Sequence, residues 1–228
     1  MAILHHPLLR ILYIAALLTI NASTALLHAS ENQPLRHYPE TIAVLKTLYH
    51  SESLAHQRYL AFSRVALKEQ HENIAYLFKA LAESEAIHAS NFKRILISLG
   101  ANNIPTRIAT VQTGSTKANL RFATEVELAE IDTEYPRYLQ RIKQENHTEA
   151  LKYIDYGWHA ERQHRELIKQ INSATGFFFS MLVKRFRKQS NSYFVNRNCG
   201  ATVTQLPEQK CPVCHKPINT YFKVTKPT

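Results

Sequence analysis

Two copies of one arrangement govern what this 228-residue chain can become. Glu52 is followed 33 residues later by Glu85-x-x-His88, and Glu127 is followed 34 residues later by Glu161-x-x-His164. A helix puts residues three apart on one face, so each Glu-x-x-His can offer a carboxylate oxygen and an imidazole nitrogen to a single ion. One such pair alone carries little weight, because about one is expected by chance at this glutamate and histidine content. The order of the residues carries the weight. A helical hairpin folded midway between Glu52 and Glu85, or between Glu127 and Glu161, sets the upstream acid beside the pair on the partner helix.

The hydropathy pattern supplies those hairpins. Apolar residues recur at helical spacing from Pro39 to about Glu69 (Ile42, Leu45, Leu48, Tyr49, Ala55, Tyr59, Phe62, Val65, Ala66), and again from Glu72 to Leu99, where Gly100 can end the helix. Residues 101–115, punctuated by Pro105 and Gly114, suit a crossover between hairpins. A third helix is expected from about Thr116 to Glu145, kinked at Pro136, and a fourth from about Thr148 to Ile171. Only 5 Gly and 9 Pro in the whole chain leave too little turn chemistry for an all-β fold, and 45% hydrophobic content is ample for a core. The fold class is therefore mainly α, a four-helix bundle.

Glu130 lies one turn after Glu127. Glu52, Glu85, His88, Glu127, Glu130, Glu161 and His164 then converge in one bundle, where unpaired buried carboxylates would each cost several kcal/mol without a cation. The general layout of di-iron carboxylate bundles is one Glu from each of two helices and Glu-x-x-His from each of the others. Hard oxygen donors with one or two imidazoles and no thiolate suit iron or manganese better than zinc or copper(I). His50, His56, His71, His147 and His159 have no comparable company and are read as background.

As an ordered set, Glu52-Ser53-x-Ala55-x-x-Arg58-Tyr59, Ala82-Glu83-x-Glu85-x-x-His88-Ala89, Glu127-x-x-Glu130-x-x-x-Glu134-Tyr135-Pro136 and Ala160-Glu161-x-x-His164 resemble the four helix motifs of rubrerythrins. The resemblance covers residues 40–170 and continues into the tail. It implies a ferritin-like four-helix bundle holding two iron ions and reducing hydrogen peroxide to water. On the same resemblance Glu130 is a ligand that exchanges with His88 as the iron changes oxidation state. Tyr59 and Tyr135 become donors to ligating carboxylates, so that Glu52, Glu130, Tyr59 and Tyr135 form the catalytic set. A homodimer and an external electron-donor protein are the implied partners. Binding of iron or manganese for storage, sensing or scavenging, without turnover, uses the same ligands and stands as the alternative.

The tail reads Tyr193-Phe194-Val195-Asn196-Arg197-Asn198-Cys199-Gly200, then Cys211-Pro212-Val213-Cys214. It looks like a rubredoxin, a small module of short β-strands and knuckles whose four thiolates surround one iron. Here Asn196 stands three residues before Cys199, where the first cysteine would be. Three readings stay open: a disulfide among Cys199, Cys211 and Cys214; iron or zinc on those three with a fourth ligand such as His215 or water; or a docking module without metal.

The first thirty residues are of another kind. Arg10, the apolar Ile11–Leu18 and the small and polar residues up to Ala29 have the three-part layout of a secretory signal peptide. The expected division is leader 1–29, ferritin-like domain 36–172, linker 173–191 and degenerate rubredoxin-like module 192–225. Export, with a periplasmic location, is the expectation, and an uncleaved membrane anchor the alternative. No stable membrane insertion of the mature chain is expected, because no long apolar run follows residue 30. The net charge of +10 comes without a helix-turn-helix or RNA-binding signature, so nucleic acid is not an expected partner. The densest basic run, Lys184, Arg185, Arg187 and Lys188, reads as a solvated helix end or linker.

Overall fold

The computed structural model describes residues 37–104, 110–172 and 192–228. The leader, the linker and its basic run lie outside the described residues, and so do the side chains of residues 127–130 and 170–172. The structure from Tyr38 onward forms one compact unit.

Helix α1 spans Pro39–Lys68 and α2 spans Glu72–Ser98. Proline at the start of α1 is in place because the first turn has no partner for its missing N–H. The backbone N–H groups of Glu40 and Thr41 in that turn donate to the Glu145 carboxylate at 2.9 and 2.8 Å. A distant acid thus caps α1 and ties it to the far hairpin. Glu69 does the same for the helix that starts at Thr116, accepting from Thr116 N at 2.9 Å.

The expected third helix is divided. Helix α3 covers Thr116–Ala129, a wide π turn covers Glu130–Glu134, and α4 covers Tyr135–Ile142. The irregularity forecast at Pro136 therefore falls in the turn before it. In a π register the carbonyl of Ile131 would seek the N–H of residue 136, and proline has none. That carbonyl instead accepts the Trp158 indole N–H at 2.9 Å, from α5 (Thr148–Asn172).

Two apolar clusters among the described residues fill the bundle. One gathers Tyr59, Phe62, Phe78, Leu81, Leu120 and Ile168, and the other gathers Leu45, Phe92, Ile95, Tyr135, Ile142 and Ile154. On every helix that bears candidate ligands with described side chains, those ligands lie between the two sets in sequence. The bundle therefore carries a polar layer between two apolar ones. After the helices comes a three-stranded antiparallel sheet in the order β2-β1-β3, built from β1 Phe194–Asn196, β2 Thr202–Val203 and β3 Tyr221–Lys223. Val195 pairs with Thr202 on one side and Phe222 on the other. Tyr193 and Val195 extend the first core cluster, and Tyr76 anchors the sheet by donating to Val224 O at 2.6 Å. No helix among the described residues is long and apolar enough to cross a membrane.

Candidate metal centre

Glu52 of α1, Glu85 and His88 of α2, and Glu161 and His164 of α5 meet in the polar layer, and all five are at most 3% exposed. One ligand atom from each of Glu52, Glu85, His88 and Glu161 lies within 4.8 Å of the others. The two pairs interlock. His88 Nδ1 is 2.9 Å from Glu85 Oε2 and 3.2 Å from Glu161 Oε1. His164 Nδ1 is 3.0 Å from Glu161 Oε2 and 3.2 Å from Glu85 Oε1. Each carboxylate thus stands between two imidazoles, one oxygen toward each, in the disposition of a bridging ligand for two cations.

The electrostatics agree with a site built to hold positive charge. Burial opposes protonation of His88, yet its contacts with Glu161 and Glu85 push its pKa up to about 10. His164 is likewise raised well above the usual imidazole range, against its burial, by Glu161 and Glu85. Glu161 is held well below the usual carboxylate range, despite burial, by His164 and His88. Without a metal, protons on the two Nδ1 atoms stand in for it. Glu161 Oε1 is buried and, apart from the ion-pair contact with His88 Nδ1 at 3.2 Å, has no hydrogen bond of good geometry among the described residues. A carboxylate oxygen so placed, next to an imidazole nitrogen that can lose its proton, fits a metal ligand.

Of the remaining expected residues, Glu127 lies in α3 and Glu130 opens the π turn, with side chains outside the described set. A π turn is a frequent accompaniment of functional sites, since it re-aims the residues it contains. Tyr135 donates to Glu52 Oε1 at 2.6 Å. Tyr59 is buried and stacks on Phe78, with ring centroids 6.0 Å apart.

Several residues of the site have no motif to reveal them. Gly157 on α5 lies against Tyr135, where an added Cβ would come within 2.8 Å of the phenolic oxygen. Ser84 donates to Gly200 O at 2.6 Å and lies 3.0 Å from His164 Nε2, whose N–H it accepts. Thr202 Oγ1 also donates to Gly200 O. His88 Nε2 donates to the Cys199 carbonyl at 3.1 Å. The C-terminal module thereby meets the outer nitrogen of His88 directly, and that of His164 through Ser84 of α2 and through Thr202 Oγ1 3.5 Å away. It fixes the proton on Nε2 and leaves Nδ1 for the carboxylate layer. Gly200, at φ +75°, allows this approach, since a Cβ there would overlap His88 Nε2. Only the folded contact of tail and bundle brings these groups together.

In the module Cys199, Cys211 and Cys214 are free, buried and mutually within 4.8 Å. Hydrogen bonds to Cys211 and Cys214, and then burial, push the Cys199 thiol up, while the hydrogen bonds that Cys211 receives from Cys199, Cys214 and Tyr221 hold its own pKa down against burial. His215 is exposed and stands outside this group, so it is not placed as the fourth ligand. A four-thiolate iron centre does not fit these residues, because the fourth corner belongs to Asn196.

A helical bundle with carboxylates and imidazoles gathered in a layer between two apolar clusters defines a ferritin-like metal-carboxylate protein. The rubrerythrin family model matches residues 43–172. The chain belongs to the rubrerythrin family. It is 31% identical to rubrerythrin-2 of Clostridium acetobutylicum, over 76% of this chain and 91% of that protein. It is 29% identical to the putative rubrerythrin of Methanocaldococcus jannaschii, over 81% and 92%. Among solved structures, fully reduced, all-ferrous nigerythrin matches the fold with a TM-score of 0.67 at 22% identity, over 86% of this chain and 95% of that one. A Desulfovibrio desulfuricans bacterioferritin with a diiron site matches with a TM-score of 0.62 at 19% identity, over 68% and 91%.

Proposed function

We propose that this chain is a non-haem di-iron oxidoreductase that reduces hydrogen peroxide to water, with two iron ions held by Glu52, Glu85, His88, Glu127, Glu130, Glu161 and His164. The observation that carries the reading is the interlocked pair Glu85 and Glu161, each between two imidazole Nδ1 atoms in a buried layer. When bound, iron supplies the two electrons and the polarisation needed to break the O–O bond.

The residues supply the rest. Glu85 and Glu161, each with one oxygen toward each imidazole, would hold the two ions. The Cys199 carbonyl and Ser84 hold the imidazoles in the tautomer that leaves Nδ1 free to bind. Two protons are consumed for each peroxide converted to two waters. The hydrogen bond from Tyr135 to Glu52 Oε1, 2.6 Å long, is a route for one of them. Burial keeps bulk water out of the layer. Electrons come from a separate one-electron carrier protein, because the thiol group lacks a fourth thiolate. We further propose a homodimer acting outside the cytoplasm, in a periplasmic setting, once residues 1–29 are removed.

The test is anaerobic reconstitution with ferrous iron followed by a peroxide pulse. About two irons per chain, oxidised faster by peroxide than by dioxygen and re-reduced over repeated cycles, is the expected result. Faster oxidation by dioxygen, or a single oxidation that no donor reverses, would replace the peroxidase with the metal-holding alternative. Asn196, in removing an in-chain electron donor, is the observation that keeps that second reading in view.

A further inference from the structure

The two turns that present the cysteines are built alike. In one, Asn196 N donates to Ala201 O at 2.9 Å and Gly200 N donates back to Asn196 O at 2.9 Å. In the other, Cys211 N donates to Lys216 O at 2.8 Å and His215 N donates back to Cys211 O at 2.9 Å. The residue closing each turn has positive φ, +75° at Gly200 and +57° at His215. His215 is no glycine, so its left-handed backbone is held at a cost by the surrounding turn. Residue by residue, Asn196 occupies in the first turn the position that Cys211 occupies in the second.

Asn196 also aims an atom where a ligand belongs. It is 0% exposed, and its Nδ2 donates to Thr220 Oγ1 at 2.7 Å; the backbone N–H of Asn198, a donor only, marks the other end as the amide oxygen. That oxygen accepts the Asn198 N–H at 2.9 Å and lies 3.7 Å from Cys214 Sγ. Cys199 Sγ lies 3.7 Å from Cys211 Sγ. A tetrahedral zinc with Zn–S near 2.3 Å and Zn–O near 2.1 Å spaces two sulfurs about 3.8 Å apart, and a sulfur and an oxygen about 3.6 Å. Two separate edges of the group thus have the dimensions of one tetrahedron.

We infer that Cys199, Cys211, Cys214 and the Asn196 Oδ1 form a three-sulfur, one-oxygen site for a single divalent cation of the zinc type. Three thiolates and a divalent ion leave one net negative charge in a buried pocket, where four thiolates would leave two, and burying less charge is the cheaper arrangement. A neutral amide oxygen also withdraws the negative charge that would favour a trivalent ion. Zinc has no redox chemistry and no geometric demand from its d electrons, which suits a mixed donor set. The site is a structural clamp for the module, and the inference stands independently of the proposed peroxide chemistry.

Cobalt(II) substitution in the full, reduced chain tests it, because sulfur-to-cobalt charge-transfer absorption can arise from the thiol group and not from a carboxylate–imidazole layer. Expected results are tetrahedral cobalt bands displaced by one equivalent of zinc and protection of all three thiols from alkylation. Asn196→Ala should weaken zinc about 10–100-fold, whereas Asn196→Cys should retain binding and raise the charge-transfer intensity by about one third, as three sulfurs become four. His215→Ala should change neither. The inference is overturned if zinc leaves the thiols open to alkylation, if two of them are isolated as a disulfide from the zinc-treated chain, or if Asn196→Ala binds as tightly as the parent with the same spectrum.

Discussion

Gly157→Ala offers a measurement of how tightly the Tyr135–Glu52 contact is built. A helical glycine replaced by alanine should ordinarily gain about 1 kcal/mol of helix propensity. Here the new methyl would meet the Tyr135 hydroxyl at 2.8 Å, so the oxygen must retreat about 0.6 Å to reach an ordinary 3.4 Å contact. Glu52 accepts that hydroxyl at 2.6 Å, and a retreat of this size strains or breaks the bond. Overpacking costs about 1–3 kcal/mol and a hydrogen bond to a charged acceptor contributes about 1.5–3 kcal/mol. Together with the propensity gain, these predict a net loss of about 1.5–5 kcal/mol for the metal-free protein. Tyr135→Phe removes the clashing oxygen, leaving ring carbons 3.1 and 3.2 Å from the methyl that need give only a few tenths of an ångström. In that background Gly157→Ala should be nearly neutral. Denaturant unfolding of the four proteins closes the cycle, and a coupling energy close to that whole loss, about 1.5–5 kcal/mol, is expected. Equal costs of Gly157→Ala in both backgrounds would refute the reasoning.

Glu85→Ala and Glu161→Ala should each lower iron content well below two per chain while circular dichroism stays helical, and retention of two irons by both would remove the site assignment. Ser84→Ala takes away the acceptor of the His164 Nε2 proton and should weaken metal binding about 10–100-fold, read by competition with a chelator. Metal-free stability should depend on pH in a definite sense. His88, raised from 6.5 to about 10, contributes fully below pH 6.5, and that contribution is lost as pH rises through about 10. Glu161, lowered from 4.5, contributes above that value and loses its contribution as pH falls through its folded-state pKa. Denaturant midpoints should therefore peak between about pH 4.5 and 6.5, and a midpoint still climbing at pH 9 would contradict the pairing.

Much of the scaffold is legible because one signal dominates it. Helices α1, α2 and α5 follow the apolar period to within a residue or two of the expected bounds, and the spacing of Glu52 from Glu85 does place both in one layer. The π turn at Glu130–Glu134 is less visible. Proline at 136 announces an irregularity, but which turn absorbs it depends on the Trp158 indole, an α5 group that captures the stranded carbonyl. Gly157, Ser84 and Thr202 carry no chemistry in isolation. They matter through what they touch, and small residues leave no periodic trace. Asn196 was visible as a departure from a cysteine pattern, whereas its oxygen becomes meaningful only once the two turns can be laid over one another.

Cys199 belongs to two sites at once, with its sulfur among the thiols and its carbonyl on His88. Occupancy of the thiol group and occupancy of the carboxylate layer are therefore thermodynamically linked variables. Any factor by which a cation on the thiols tightens metal binding in the bundle is the factor by which metal in the bundle tightens the thiol site. The sign and size of that factor can be read at either end, by titrating one site with a cation while the other is held empty or full.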